Sequence, residues 1–390
     1  MTVRVLQSIH EVSPQDWNAL DRQQQPFLSH EFLAALEDTG CACPATGWTP
    51  QHLALFDERN ALIAAVPLYL KTHSMGEFVF DFNWASFHDQ TIAQLSGVPY
   101  YPKLVASVPF TPATGPRLLL NKYGDQNQQR SDLIEAIDYL MQSLQVSSAH
   151  VLFANQQDQT ALVNAGWLYR TSCQFHWFNR NYQILEDFFA TFRAEKRKKI
   201  RRERQKVLNE SGIKFKTLCG ADISHHQWQR IFALSQSTFH RHGHDHYLTA
   251  EFLHSVAQAL PNQVMVKLAE HQGHAVAAAI FFHNENTLFG RYWGALSHYD
   301  SLHFETCYYQ GIEFCIERGI QLFEPGTQGE HKIARGFEPT LTYSAHRVMD
   351  QRFHSVLTDH LMRERQAVDS YAMQMREHLP FHRSNVSQGS

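Results

Sequence analysis

No run of roughly 18 consecutive apolar residues occurs in the chain. The longest apolar stretch, 61–70, is strand-sized, so no membrane-spanning helix is expected. Glycine (19) and proline (14) are too sparse for a collagen-like or low-complexity chain, and 12% aromatic residues are too many for global disorder. Cysteine is scarce and scattered, at 41, 43, 173, 219, 307 and 315. Cys41 and Cys43 lie one residue apart, which does not suit a zinc knuckle. Residues 1–17 lack an apolar core followed by a small-residue cleavage site, so a reducing, cytoplasmic location is expected. Positive charge is not in excess either. Lys plus Arg number 34 against 38 Asp plus Glu, which alone implies no polyanionic partner.

What is present is local. Residues 193–206 hold nine basic side chains against Glu195 and Glu203, a net +7 that leaves −11 for the rest of the chain. Strong helix formers fill 196–209, an apolar helical stretch (185–192) precedes them, and Gly212 follows, so a basic helix joining two halves is expected. Charge runs on helices are commonly solvated faces, but nine cations in this window cover more than one face. Lys198, Arg201 and Arg202 are the residues expected to meet phosphates.

The 390 residues suit two domains of roughly 100–200 residues each, and the halves look alike. Residues 53–56, a turn at 57–60, and 62–70 read as a hairpin; so do 264–269, 270–274 and 275–282. Leu55, Asn60 and Ala64–Ala65 match Leu268, Gly273 and Ala277–Ala278 at one offset. Two helical stretches precede each hairpin (14–24 and 30–39; 225–239 and 249–260). A helix and short strand follow each (131–144 and 150–153; 304–318 and 321–323). Phe304, Cys307, Tyr308, Gly311, Ile312 and Cys315 fall on one helical face and read as core, with Gly319 as the stop. The pattern predicts a mixed α/β fold, duplicated in tandem. The first half carries an aromatic and proline-rich insertion at 71–116, expected to be ordered and to shape a substrate pocket.

Chemistry concentrates in 324–337. Glu324, Gln328, Glu330, His331, Lys332 and Arg335 lie within twelve residues, with glycines at 326, 329 and 336 that permit a shaped loop. Glu330 or His331 can take a proton from an ammonium nucleophile; Lys332, Arg335 and Gln328 can hold a phosphate or carboxylate. His303 and Glu305, opening the 304–318 helix, are further catalytic candidates, although Glu305 also suits the first turn for its dipole alone. Backbone N–H groups around Arg291 and Trp293 are placed to hold an oxyanion. No Gly-x-Ser-x-Gly elbow or Cys–His pairing marks a covalent nucleophile. The His240-Arg-His-Gly-His-Asp-His loop can be read as a metal site, but all its ligands come from one short loop, so no metal is expected.

Three blocks carry a family resemblance. Lys196-Arg-Lys-Lys-Ile-Arg-Arg-Glu-Arg-Gln-Lys with Gly212-Ile-Lys-Phe resembles the interdomain basic helix and following strand of Fem-type peptidyltransferases. Glu324-Pro-Gly-Thr-Gln-Gly-Glu-His-Lys-Ile-Ala-Arg-Gly-Phe-Glu-Pro with Tyr343-Ser-Ala-His resembles the C-terminal Lys–Gly–Phe segment of that superfamily. Trp48-Thr-Pro-Gln-His-Leu, Pro67-Leu-Tyr-Leu-Lys, Tyr101-Pro-Lys-Leu and Pro109-Phe-Thr-Pro-Ala-Thr-Gly-Pro-Arg are similar to the FemAB-like branch of bacterial N-acyltransferases, labelled peptidoglycan biosynthesis or recognition proteins. The resemblance spans about residues 1–365. It implies two tandem GNAT-like folds, over 1–180 and 212–390 with a basic linker helix at 181–211 and a C-terminal helix. It also implies transfer of an acyl or aminoacyl group to a small-molecule or peptidyl amine, such as a peptidoglycan precursor. Ordinary acetyltransferases place an Arg/Gln-x-x-Gly-x-Gly/Ala loop before the long helix to cradle coenzyme A. Residues 293–304 here have a single glycine. Fem-type enzymes lack that loop and use aminoacyl-tRNA, so acyl-CoA and aminoacyl-tRNA both stand as donors, with tRNA as a candidate partner. Two other readings stand beside the transferase. One is a noncatalytic protein recognising peptidoglycan precursor or RNA through the basic helix; the other is a metal-responsive protein using the histidine loop.

Overall fold

The computed structural model describes residues 1–382 except 22, 211, 242, 298 and 328. It divides into two compact units: Met1–Ser172 with Leu341–Ser370, and Cys173–Thr340 with Tyr371–Ser390. Each unit runs strand, two helices, antiparallel strands, long helix, strand, so the tandem GNAT-like pattern read from the sequence is present.

In the first unit, Thr2–Leu6, His52–Phe56, Leu62–Val66 and Leu119–Leu120 form one antiparallel sheet in that order. The strand expected over 62–70 is broken at Pro67, which has no N–H to give a ladder, and Leu68–Lys71 pairs instead with Trp48–Pro50 and Lys103–Ala106. Lys103–Ala106 runs parallel to Ser148–Ala154, whose other edge takes residues 343–348. The helix Gln126–Ser143 lays Leu133, Ile134, Ile137 and Met141 on Leu53, Val66, Leu104 and Val151. The first helix ends at Asn18, short of the expected 24, because the Asp21 carboxylate accepts from Gln23 N–H (3.0 Å) and Gln25 N–H (2.6 Å) and turns the chain.

The insertion is ordered, with helices Phe82–Phe87 and Ala93–Ser96 and the strand Lys103–Ala106. A buried ion cluster fixes it: Lys103 Nζ donates to Glu77 Oε2 (2.8 Å), Asp81 Oδ2 (2.5 Å) and Ser74 Oγ (2.8 Å).

In the second unit, Ile213–Cys219, Val264–His271, His274–His283 and Thr287–Ala295 form an antiparallel run, tightened at Gln272–Gly273 where both residues have positive φ (50° and 79°). Leu322–Glu324 joins Thr287–Ala295 in parallel and takes Trp177 and Phe178 on its other edge. His225–Arg241 packs on Thr287–Ala295 so closely that a Cβ on Gly294 would strike the Leu234 carbonyl oxygen.

The basic stretch is helical over Ala194–Gln205, but it does not connect the units, and this corrects the expected linker and the 1–180, 181–211, 212–390 division. Its Ile200, together with Leu185, Phe188, Phe189 and Phe192 before it, belongs to the core of the second unit beside Phe337 and Phe381. Segment 341–370 in turn belongs to the first unit, through its pairing with Ser148–Ala154.

Candidate active site

The parallel pair Thr287–Ala295 and Leu322–Glu324 matches for only three residues, ending at Phe289 and Glu324. Beyond that point the chains part. Pro325 offers no N–H, and a register shift between Ile280 and Phe281 places Arg291 as the extra residue of a bulge. Gly290 lies against Pro325, whose Cα would stand 3.2 Å from an added Cβ. The gap is a cavity of about 280 Å³, walled by Gly290, Arg291, Tyr292 and Trp293 on one side and Pro325, Gly326 and Thr327 on the other.

The long helix supplies the floor. It opens as Leu302–Phe304, widens to a π-turn over Glu305–Tyr309 and continues as Gln310–Arg318 to Gly319 (φ 70°). His303, Cys307 and Tyr308 all reach the cavity. π-turns inside helices often mark functional positions.

The third wall is the 3-10 turn Glu330–Arg335, which presents His331 and Lys332. Gly329 precedes it at φ 116°, where a Cβ would collide with the His331 ring, so a glycine is required. Tyr308 Oη and His331 Nε2 are 2.8 Å apart, and the His303 ring lies 5.3 Å from Tyr308, 5.9 Å from His331 and 5.3 Å from Trp293. Lys332 is 2% exposed and donates to Gly326 O at 2.7 Å.

Burial sets the protonation of these groups. It lowers His303 to about 4, helped by the neighbouring His331, Arg335 and Lys332. His331 is lowered by burial and by the positive charges of Lys332 and Arg335. Lys332 falls to about 7, with the Cys307 thiol only partly opposing the loss of water. Burial also raises the Tyr308 hydroxyl and the Cys307 thiol. Near neutral pH the cavity therefore holds two neutral imidazoles, a protonated phenol and a lysine that can exist in either form.

Of the residues expected from sequence, His331, Lys332, His303, Arg291 and Trp293 come together here. The others do not line the cavity. Glu330 is exposed and accepts from Tyr371 Oη at 2.9 Å. Glu305 is 1% exposed and takes a two-pronged pair from Arg204 (2.9 and 2.9 Å), with Gln310 Nε2 donating to it at 2.9 Å. Arg335 donates to His331 O (2.8 Å) and Glu203 Oε2 (3.0 Å) and stacks 3.3 Å over the Phe304 ring. It thereby steadies the turn that carries His331 and Lys332. Lys198, Arg201 and Arg202 are exposed on the basic helix, and Arg201 pairs with Glu186. Gln328 lies outside the described residues.

Sequence reading missed Tyr308 and Cys307 as cavity residues, because their helical spacing reads as core; the π-turn that serves the cavity leaves no periodic signature. A second cavity of about 570 Å³, with Arg241, Tyr299, Asp300 and Ser301 in its wall, shares Trp293 and His303 with the first.

The histidine loop is described in part. His246 packs against Phe239 (4.3 Å) and Tyr292 (4.8 Å), its Nδ1 accepts from Leu248 N–H at 3.1 Å, and burial lowers it to about 4. His242 lies outside the described residues. Among the described residues no group of three or more metal-ligating side chains assembles, and no helix is long and apolar enough to cross a membrane.

The FemAB-like family model, described as peptidoglycan biosynthesis/recognition, matches residues 8–383. No curated protein sequence matches the chain. Among solved structures, FemX aligns with a TM-score of 0.54 at 8% identity, over 92% of this chain and 100% of its own. The C-terminal DUF2156 domain of an Agrobacterium fabrum protein aligns at 0.53 and 10% identity, over 91% and 98%. L-PGS from Bacillus licheniformis aligns at 0.50 and 10%, over 85% and 96%. At such identities the likeness is one of fold.

Proposed function

The chain belongs to the FemAB-like family, and from that premise and the cavity of its second unit we propose that it transfers an acyl or aminoacyl group to an amine acceptor. The observation that carries the reading is the convergence of His303, Tyr308, His331 and Lys332 on one cavity at the parting of two parallel strands. Transfer to an amine needs the nucleophile deprotonated, the carbonyl oriented and the leaving group protonated, with no covalent enzyme intermediate. His331, neutral and in hydrogen-bond contact with Tyr308, is the proposed base. The Tyr308 hydroxyl, kept protonated by burial, is positioned to pass a proton to the leaving group. Lys332 and Arg291 are proposed to bind substrate, and Trp293 and His303 to shape the wall that the two cavities share. Glu330 and Glu305 are not assigned to the chemistry, being held by Tyr371 and Arg204.

The donor class stays between a coenzyme A thioester and an aminoacyl-tRNA. Exposed Lys198 and Arg202 are suited to the phosphates of either. The family's description makes a peptidoglycan precursor amine the first acceptor to test, with a cytoplasmic setting to match. Purified protein incubated with acyl-CoA or charged tRNA and a panel of amines, read by mass spectrometry, is expected to yield an acylated amine. Specific binding of precursor or RNA with no transfer from either donor class would contradict the reading and favour a noncatalytic binding protein.

A further inference from the structure

The small cavity of the second unit is lined by Arg291, Lys332 and two imidazoles and, among the described residues, by no aspartate or glutamate. Burial lowers Arg291, and Tyr292 and the charge of Glu324 partly oppose that loss, so its guanidinium has support nearby. Lys332 is in a different position. It is 2% exposed, one of its N–H donors reaches Gly326 O, and the other two have no partner among the described residues. A buried ammonium with spare donors facing a cavity is completed by an anionic acceptor, because a charge-assisted hydrogen bond replaces the water it has lost. The same surroundings act against a second cation. An ammonium group entering would meet Lys332 and Arg291 with no carboxylate on the walls, and would suffer both desolvation and like-charge repulsion. A neutral amine is not penalised in this way, so a nucleophile can still enter in the form that reacts.

We propose that this cavity receives a substrate group bearing a carboxylate, held by the Lys332 ammonium and an imidazole N–H of His303 or His331, and that it turns away groups bearing an ammonium. The inference rests on the transferase reading and narrows it. Either the acyl chain or the amine-bearing acceptor carries a free carboxylate next to the reacting centre. No bond other than the amide changes, and the carboxylate is a handle.

Four small probes separate the possibilities on the full chain by ligand-observed NMR. Succinamate carries the carboxylate on the acyl side of an amide, N-acetylglycine carries it on the amine side, N-acetylglycinamide is neutral and glycinamide is cationic. At least one carboxylate probe is expected to bind about tenfold more tightly than the neutral amide, and the tighter of the two names the side on which the carboxylate arrives. Lys332→Met is expected to abolish that preference, and Lys332→Arg to keep part of it. The wild-type preference for carboxylate over neutral amide is itself decisive should Lys332→Met fail to fold. The inference is overturned if neither carboxylate exceeds N-acetylglycinamide, if glycinamide binds as tightly, or if folded Lys332→Met keeps the preference. Binding is read without turnover, so efficient transfer between partners that both lack a carboxylate would overturn this inference and leave the transferase reading standing.

Discussion

Lys332 joins stability and binding in a single buried side chain. Its ammonium is stripped of water in the folded chain and free in the unfolded one, so its folded pKa of about 7 lies below the ordinary 10.5. Between those values the unfolded chain binds more protons than the folded one, so this group's contribution to stability improves as pH rises through that window; below about pH 7 the full penalty is present. Lys332→Met keeps most of the stem and removes the charge. It is expected to unfold later than the native chain in urea below about pH 7, on the order of several kcal/mol. The difference should shrink steadily as pH rises toward 10.5. A difference independent of pH would show that Lys332 is not a buried, destabilised cation. Lys71 and Glu77, both moved to about 7 in the first unit, affect wild type and variant alike and cancel in the comparison. His331 and Lys332 were legible in the sequence because 324–337 packs polar groups among glycines. Glu330 stood out for the same reason, yet one position along the 3-10 turn its side chain is exposed and bonded to Tyr371. Which neighbour faces the cavity depends on the turn's geometry, which composition does not encode.

At the level of elements, the basic helix has two unlike faces. Its inner face is docked: Arg204 pairs with Glu305, Glu203 with Arg335, and Ile200 is buried. Its outer face leaves Lys198 and Arg202 exposed. Arg204→Ala strands the buried Glu305 carboxylate and is expected to cost about 3–5 kcal/mol in urea unfolding. Lys198→Gln with Arg202→Gln is expected to change stability by less than about 0.5 kcal/mol while lowering affinity for the polyanionic donor and flattening its salt dependence. An unchanged affinity and salt slope would return the outer face to a merely solvated one. The sequence showed the charge run and the helix, but not the docking, because Glu203 and Arg204 look like any other charges in the window until their distant partners Arg335 and Glu305 are located. The long helix teaches the same lesson. Its stripe from Phe304 to Cys315 predicts the element, and the π-turn at Glu305–Tyr309 that accompanies Cys307 and Tyr308 at the cavity does not disturb the spacing enough to be read.

At the scale of the whole molecule, the duplicated order of elements was legible because each hairpin carries small and apolar residues at one sequence offset, Ala64–Ala65 in one and Ala277–Ala278 in the other, although Leu55 faces Ala64 while Leu268 faces Ala278. The division of the chain was not. Residues 343–348 alternate as any strand does, and nothing local says that their partner is Ser148–Ala154, nearly two hundred positions earlier. The basic stretch looked like a boundary for a related reason: a composition shift marks a change of surface, and here the apolar helix before it anchors it inside the second unit. The cavity walled by the long helix and the Glu330–Arg335 turn is proposed to perform the transfer. The most direct measurement is the single-turnover transfer rate, with the acylated amine read by mass spectrometry, for wild type, His331→Ala, Tyr308→Phe and Glu330→Gln, each checked for native unfolding. His331→Ala is expected to lose about 10²–10⁴-fold, as for a missing general base, Tyr308→Phe to lose rate with little change in substrate affinity, and Glu330→Gln to stay near wild type. Native rates in folded His331→Ala and Tyr308→Phe would contradict the account.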